Sequence, residues 1–129
     1  MRLIVLAIDD NPVNLKLVAE LLRQAGHVVL CAEDACAALQ LLETHLPDVV
    51  LTDISMPGMD GLQLTQHLKA DARLRHLPVI ALTASAMKGD EARILKAGCD
   101  GYISKPFDTR LFPAQVEDVV ARAATVPSA

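Results

Sequence analysis

Four short apolar runs in this chain each end on a polar residue. Leu3-Ile4-Val5-Leu6-Ala7-Ile8 runs into Asp9-Asp10, and Val49-Val50-Leu51-Thr52 into Asp53. Val79-Ile80-Ala81-Leu82 meets Thr83, and Tyr102-Ile103-Ser104 meets Lys105. A further apolar run, Val28-Val29-Leu30-Cys31, has no such ending. These runs are apolar throughout and do not alternate, which fits strands buried on both faces of a parallel sheet. Between them lie stretches with helical spacing. Pro12 to Ala25 places Val13, Leu17, Leu21 and Leu22, with Val18 alongside, on an expected apolar face. Asn11 is its expected cap, Pro12 falls in the first turn, and Gly26 is its stop. Further helices are expected over Asp34 to Glu43, Leu62 to Ala70, about Ala86 to Ala97, and about Phe112 to Ala124. Met56-Pro57-Gly58-Met59-Asp60-Gly61 reads as a turn-rich loop. Pro113 lies where the last helix should start, so that helix is expected a residue or two late, with Pro113 in its first turn.

Strand-helix alternation from end to end predicts an α/β fold with a five-stranded parallel sheet, doubly wound by five helices. At 129 residues the chain makes one domain. The expected boundaries are 1–125 for the domain and 126–129 for a loose tail.

Composition narrows the function. The chain is 52% hydrophobic, yet no apolar run is long enough to span a bilayer. The first run is broken at once by two aspartates, unlike a signal peptide. A net charge of -4 without a basic cluster argues against nucleic-acid binding. Only Phe107, Phe112 and Tyr102 are aromatic, too few for a stacking platform. Cys31, Cys36 and Cys99 lack metal-site spacing and read as buried thiols in a reducing cytoplasm. His27, His45, His67 and His76 are scattered away from the polar strand ends and read as solvated.

In a parallel sheet the carboxyl ends of the strands share one rim, where open α/β sheets place their ligands. Each polar residue there has an ordinary explanation on its own. Asp9-Asp10 could favour the start of a helix, Asp53 could open a turn, and Thr83 suits a strand. Lys105 is less ordinary, because Pro106 holds its backbone extended. Together they bring three carboxylates, a hydroxyl and an ammonium to one rim. Carboxylates crowded in this way call for a hard cation such as Mg2+. The ammonium and hydroxyl suit an incoming phosphoryl group. The expected chemistry is phosphoryl acceptance.

From Leu3 to about Ala124 the chain resembles a response-regulator receiver domain, the phospho-acceptor module of two-component signalling. The resemblance rests on Ile8-Asp9-Asp10-Asn11, Leu51-Thr52-Asp53 through Asp60-Gly61, Ile80-Ala81-Leu82-Thr83-Ala84, and Gly101-Tyr102-Ile103-Ser104-Lys105-Pro106-Phe107, in that order. It implies the flavodoxin-like strand order 2-1-3-4-5. It further implies that Asp53 accepts the phosphoryl group. Mg2+ would be held by Asp9, Asp10, Asp53 and the backbone carbonyl of Ser55. Lys105 would pair with a phosphoryl oxygen, its bond to Pro106 being cis. Thr83 and Tyr102 would be the switch pair, changing the face made by the fourth helix, fifth strand and fifth helix. Ser55 and Ser85 would leave water access to the site. The implied partners are a sensor histidine kinase or histidine phosphotransfer protein and a downstream protein effector, met in the cytoplasm. No independent substrate turnover is expected. The start at Met1 and the loose end favour a stand-alone regulator over an excised receiver. A Mg2+-dependent phosphatase with an aspartyl nucleophile is the alternative. It would want a carboxylate where Ser55 stands and more chain to form a substrate pocket. A flavin-binding domain is disfavoured by the acidic loop Asp9-Asp10-Asn11-Pro12.

Overall fold

The computed structural model describes residues 2–54, 58–83, 88–105 and 108–125. Strands β1 (Ile4–Ile8), β2 (Val28–Ala32), β3 (Val49–Asp53), β4 (Val79–Thr83) and β5 (Gly101–Ser104) form one parallel sheet in the order 2-1-3-4-5. Helices α1 (Pro12–Gln24), α2 (Ala35–Thr44), α3 (Gly61–Ala70), α4 (Lys88–Lys96) and α5 (Phe112–Thr125) connect and follow them. Both the doubly wound architecture and the strand order agree with expectation.

Alternation along the strands divides the core in two. Val5, Ala7, Leu51, Ile80, Leu82 and Ile103 face α1 and α5, meeting Leu15, Val18, Leu22, Phe112, Val116 and Val119. Leu6, Ile8, Val50, Val79 and Ala81 face the other way, onto Ala38, Leu42, Leu64, Leu68 and Ile94. The interior strands β3 and β4 are buried at every position, whereas β2 and β5 at the edges are partly exposed. Each fully buried leucine or isoleucine contributes about 1.5–3 kcal/mol, so the two layers hold the sheet rigid between them.

The helix boundaries follow local chemistry. Asn11 caps α1 by accepting from the backbone N–H groups of Val13 and Asn14, with Pro12 at its start. Gly26, at φ +95°, turns the chain into β2. Pro113 lies in the first turn of α5, which begins at Phe112 without the expected delay.

Three expectations need correcting. The buried stripe of α1 is Leu15, Val18, Ala19 and Leu22, while Val13 and Leu17 are exposed. Val13 precedes Leu22 by nine residues, about two and a half turns, so they point in opposite directions. His27 is not solvated: its side chain is fully buried, and Nδ1 accepts from the N–H of Leu3 at 3.0 Å. Its Nε2 lies 3.1 Å from Glu117 Oε2 on α5. Accepting at Nδ1 leaves the proton on Nε2, so His27 donates to that carboxylate. The other three histidines are exposed. Among the cysteines only Cys99 is buried; Cys31 on edge strand β2 and Cys36 in the first turn of α2 are exposed. Burial pushes the Cys99 thiol up, against a lowering hydrogen bond with Thr65.

Candidate functional site

The strand ends arrive at one rim nearly in register. Ile8 pairs with Thr52, Asp53 with Leu82, and Thr83 with Ser104. Asp53 and Thr83 are the last residues of their strands, and Asp9 and Lys105 come one residue after theirs. Backbone bonds continue the ladder past the ends: Asp9 N–H donates to Ala32 C=O at 3.2 Å, and Lys105 N–H to Thr83 C=O at 2.7 Å. The side chains of Asp9, Asp53 and Lys105 therefore hang from a backbone that is already hydrogen-bonded. Their placement owes little to loop mobility.

One carboxylate oxygen from each of Asp9, Asp10 and Asp53 lies within 4.8 Å of the other two. Asp9 and Asp53 are buried, and Asp10 is exposed at the mouth. The Lys105 Nζ sits 3.3 Å from Asp9 Oδ2 and 3.5 Å from Asp53 Oδ2, so one ammonium bridges two carboxylates. The other oxygen of Asp9, Oδ1, accepts from the N–H of Asn11 at 2.9 Å. The helix cap is Asn11 itself, so the acidic pair is not needed for capping. Together the three carboxylates and one ammonium carry a net formal charge of -2 at the rim. Such a set of hard oxygen donors fits a divalent cation of the Mg2+ type better than a softer metal. Ser55, expected to add a carbonyl, lies outside the described residues, as do Ser85, the Lys105–Pro106 bond, Phe107 and residues 126–129.

Thr83 and Tyr102 share the opposite face of the sheet. Ala81 pairs with Tyr102, and Thr83, two residues further along β4, points the same way as Ala81. Thr83 is buried; the Tyr102 ring is half-exposed and packs against the layer containing Ala81 and Ile94. Thr83 lies on β4, the strand between β3, which ends on Asp53, and β5, which carries Tyr102.

Two supports were not foreseen. Asp60 and Gln63 form a reciprocal capping box at the start of α3, with bonds of 2.8 and 2.9 Å. The spacing Asp-x-x-Gln was a readable signal for it. Gly61 was read as turn chemistry, but its role is closeness: a Cβ there would collide with the carbonyl oxygen of Asp53. No local pattern announces that approach.

Known proteins resemble this arrangement closely. The sequence profile of the response regulator receiver domain matches residues 5–117. The polar-differentiation response regulator DivK of Brucella anthropi is 45% identical over 108 residues, covering 84% of this chain and 88% of that one. Among solved structures, the signal receiver domain of a signal transduction histidine kinase from Syntrophus aciditrophicus superposes with a TM-score of 0.84. It is 28% identical, covering 98% of this chain and 96% of that one. The chemotaxis response regulator CheY4 of Vibrio cholerae gives 0.86 at 25% identity, covering 92% and 99%.

Proposed function

This chain belongs to the response-regulator receiver family, and on that premise we propose that Asp53 is its phospho-acceptor, served by Lys105 and Thr83. The observation that carries the reading is the convergence of Asp9, Asp10, Asp53 and Lys105 at one strand-end rim. A carboxylate oxygen of Asp53 attacks the phosphorus of a phosphohistidine. The P–N bond breaks, and the imidazole leaves with the bonding pair and takes up a proton. Asp53 becomes a mixed anhydride, an acyl phosphate.

The chain's own residues prepare this step. The ladder holds the Asp53 backbone, limiting the reorganisation needed at the moment of attack. Lys105 rests on two carboxylates and exchanges one of them for a phosphoryl oxygen, so positive charge stays beside the transferring group. Thr83 offers its hydroxyl to a second phosphoryl oxygen. Asp9, Asp10, Asp53 and the Ser55 carbonyl are the residues that would hold Mg2+. When bound, that ion supplies the remaining charge neutralisation at the carboxylates and phosphoryl oxygens.

Drawing Thr83 toward the phosphoryl group vacates space beside Tyr102 on the shared face. The ring turns inward, and the α4, β5 and α5 surface changes for a downstream effector. The donor is a histidine kinase or histidine phosphotransfer protein, encountered in the cytoplasm. Among the described residues no helix is long and apolar enough to cross a membrane. The domain covers 1–125, and no turnover of an independent substrate is part of this reading.

The test is phosphorylation by a small phosphodonor with Mg2+, followed by site mapping. Asp53→Asn keeps the shape and should fold like wild type while incorporating no phosphate. Labelling of that variant at a comparable rate would remove Asp53 from the role.

A further inference from the structure

A buried hydroxyl and a buried thiol meet behind the end of β3, and the phosphoryl chemistry uses neither. Thr65 lies in the second turn of α3, and Cys99 lies between α4 and β5. The Thr65 hydroxyl donates to the Gly61 carbonyl at 2.8 Å, and Cys99 Sγ is 3.6 Å from the same hydroxyl oxygen. A hydroxyl has one proton to give. With that proton committed to Gly61, the thiol is the donor in the second contact. Burial pushes the Cys99 thiol up, so it retains the proton this requires. Cys99 S–H thus donates to Thr65, and Thr65 O–H to Gly61 C=O, joining the α4–β5 junction to the first residue of α3.

Gly61 is also the residue pressed against β3. A Cβ there would lie 2.9 Å from the Asp53 carbonyl carbon and the Ile54 Cα. Its N–H reaches Ile54 C=O at 3.4 Å, a long and therefore weak bond. The shorter bond from Thr65, on the other side of the same residue, is the stronger restraint. A threonine bonded back to the carbonyl four residues earlier often bends its helix, so this hydroxyl governs the set of the first turn. We propose that Thr65 is a positioning residue for phosphoryl acceptance: its hydroxyl, anchored by Cys99, holds Gly61 against the end of β3 and so fixes the Asp53 carboxylate beside Lys105. The inference rests on the reading of Asp53 as phospho-acceptor. If the released turn lets Asp53 shift by about 0.25–0.5 Å, transfer slows roughly three- to tenfold.

Wild type, Thr65→Val, Thr65→Ser and Cys99→Ala would be labelled by a small phosphodonor at saturating Mg2+, with rates expressed per folded molecule and melting temperatures measured alongside. Amide hydrogen exchange at Gly61 gives a second, local readout. Thr65→Val keeps the shape without the hydroxyl; its labelling should slow roughly three- to tenfold, and its Gly61 N–H should lose protection. Thr65→Ser keeps the hydroxyl and should restore the wild-type rate and protection, even where the lost methyl lowers its melting temperature. Cys99→Ala removes only the anchor and should fall between wild type and Thr65→Val. A purely structural threonine would change melting temperature and leave the rate per folded molecule unaltered. Wild-type labelling in Thr65→Val, or equal slowing in Thr65→Ser and Thr65→Val, refutes the positioning role while the acceptor reading stands. If Thr65→Val fails to fold, Cys99→Ala decides: wild-type rate and wild-type Gly61 protection in that variant refute the role. Labelling that survives Asp53→Asn removes the acceptor reading, and this inference falls with it.

Discussion

Replacing Gly61 by alanine tests how tightly the proposed phospho-acceptor site depends on backbone packing behind it. A Cβ at this position would lie 2.9 Å from both the carbonyl carbon of Asp53 and the Cα of Ile54, against 3.4 Å for ordinary contact, and closer still to the Asp53 carbonyl oxygen. Each 2.9 Å contact must open by 0.5 Å (3.4 less 2.9). Gly61 cannot simply retreat. Its N–H donates to Ile54 C=O at 3.4 Å, its own carbonyl accepts from the Thr65 hydroxyl at 2.8 Å, and the capping box fixes the helix that follows. The strain therefore passes to the end of β3. Overpacking of this kind costs about 1–3 kcal/mol, and backbone atoms yield less than side chains, so the upper part of that range applies. The same displacement moves the Asp53 carboxylate relative to Lys105. If a misplacement of about 1 Å costs about a hundredfold in rate, half of it costs roughly tenfold. Urea denaturation and the initial rate of labelling from a small phosphodonor at saturating Mg2+ read the two effects. Gly58→Ala is the control, because Gly58 has φ +76° and nothing within 4 Å of its virtual Cβ. It should lose about 1 kcal/mol through backbone strain and keep its labelling rate. Wild-type stability and labelling rate in Gly61→Ala would refute the close-approach argument.

Three other outcomes follow from the same geometry. Asp10→Asn should weaken Mg2+ binding while leaving the melting temperature of metal-free protein unchanged or higher, since it relieves repulsion within the cluster; unaltered affinity in a calorimetric titration would place the metal elsewhere. His27→Phe should lose about 1–3 kcal/mol in urea denaturation, because the N–H of Leu3 is left buried without its acceptor; a loss under about 0.5 kcal/mol would mean that N–H finds another partner. Thr83→Ala should still be labelled at Asp53 but lose much of the amide shift change around Tyr102 on adding beryllofluoride, and equal shift changes in both proteins would show that the signal takes another route.

The rim was legible because polar residues at the ends of apolar runs are a one-dimensional pattern, and parallel pairing converts it directly into proximity. Asp9, Asp53, Thr83 and Lys105 needed no knowledge of distant contacts to be singled out. The α1 face was misjudged in part because Val13 and Leu17 are as apolar as the buried set, and hydrophobicity alone does not say which of two stripes meets the sheet. His27 was misjudged for a different reason. Its partners are Leu3 and Glu117, 24 and 90 residues away, and nothing in its neighbours signals either bond. The cysteines show the limit of residue averages: the thiol is often buried, but Cys31 is exposed near the end of an edge strand. Gly61 likewise acquires its role only when another segment arrives beside it.

The strand order divides labour between the middle of the sheet and its border. Asp9 and Asp53 follow or end β1 and β3, each flanked by strands on both sides, whereas Tyr102 belongs to β5, which has a neighbour on one side only. A group on an interior strand inherits the stiffness of the whole lamina, and the proposed phosphoryl transfer would benefit from that fixity. A group on the marginal strand can reorient at the expense of a single neighbour. Substitutions that retune the outward-reading border can therefore accumulate without disturbing the carboxylates. One reaction centre can in this way be fitted to many different listeners.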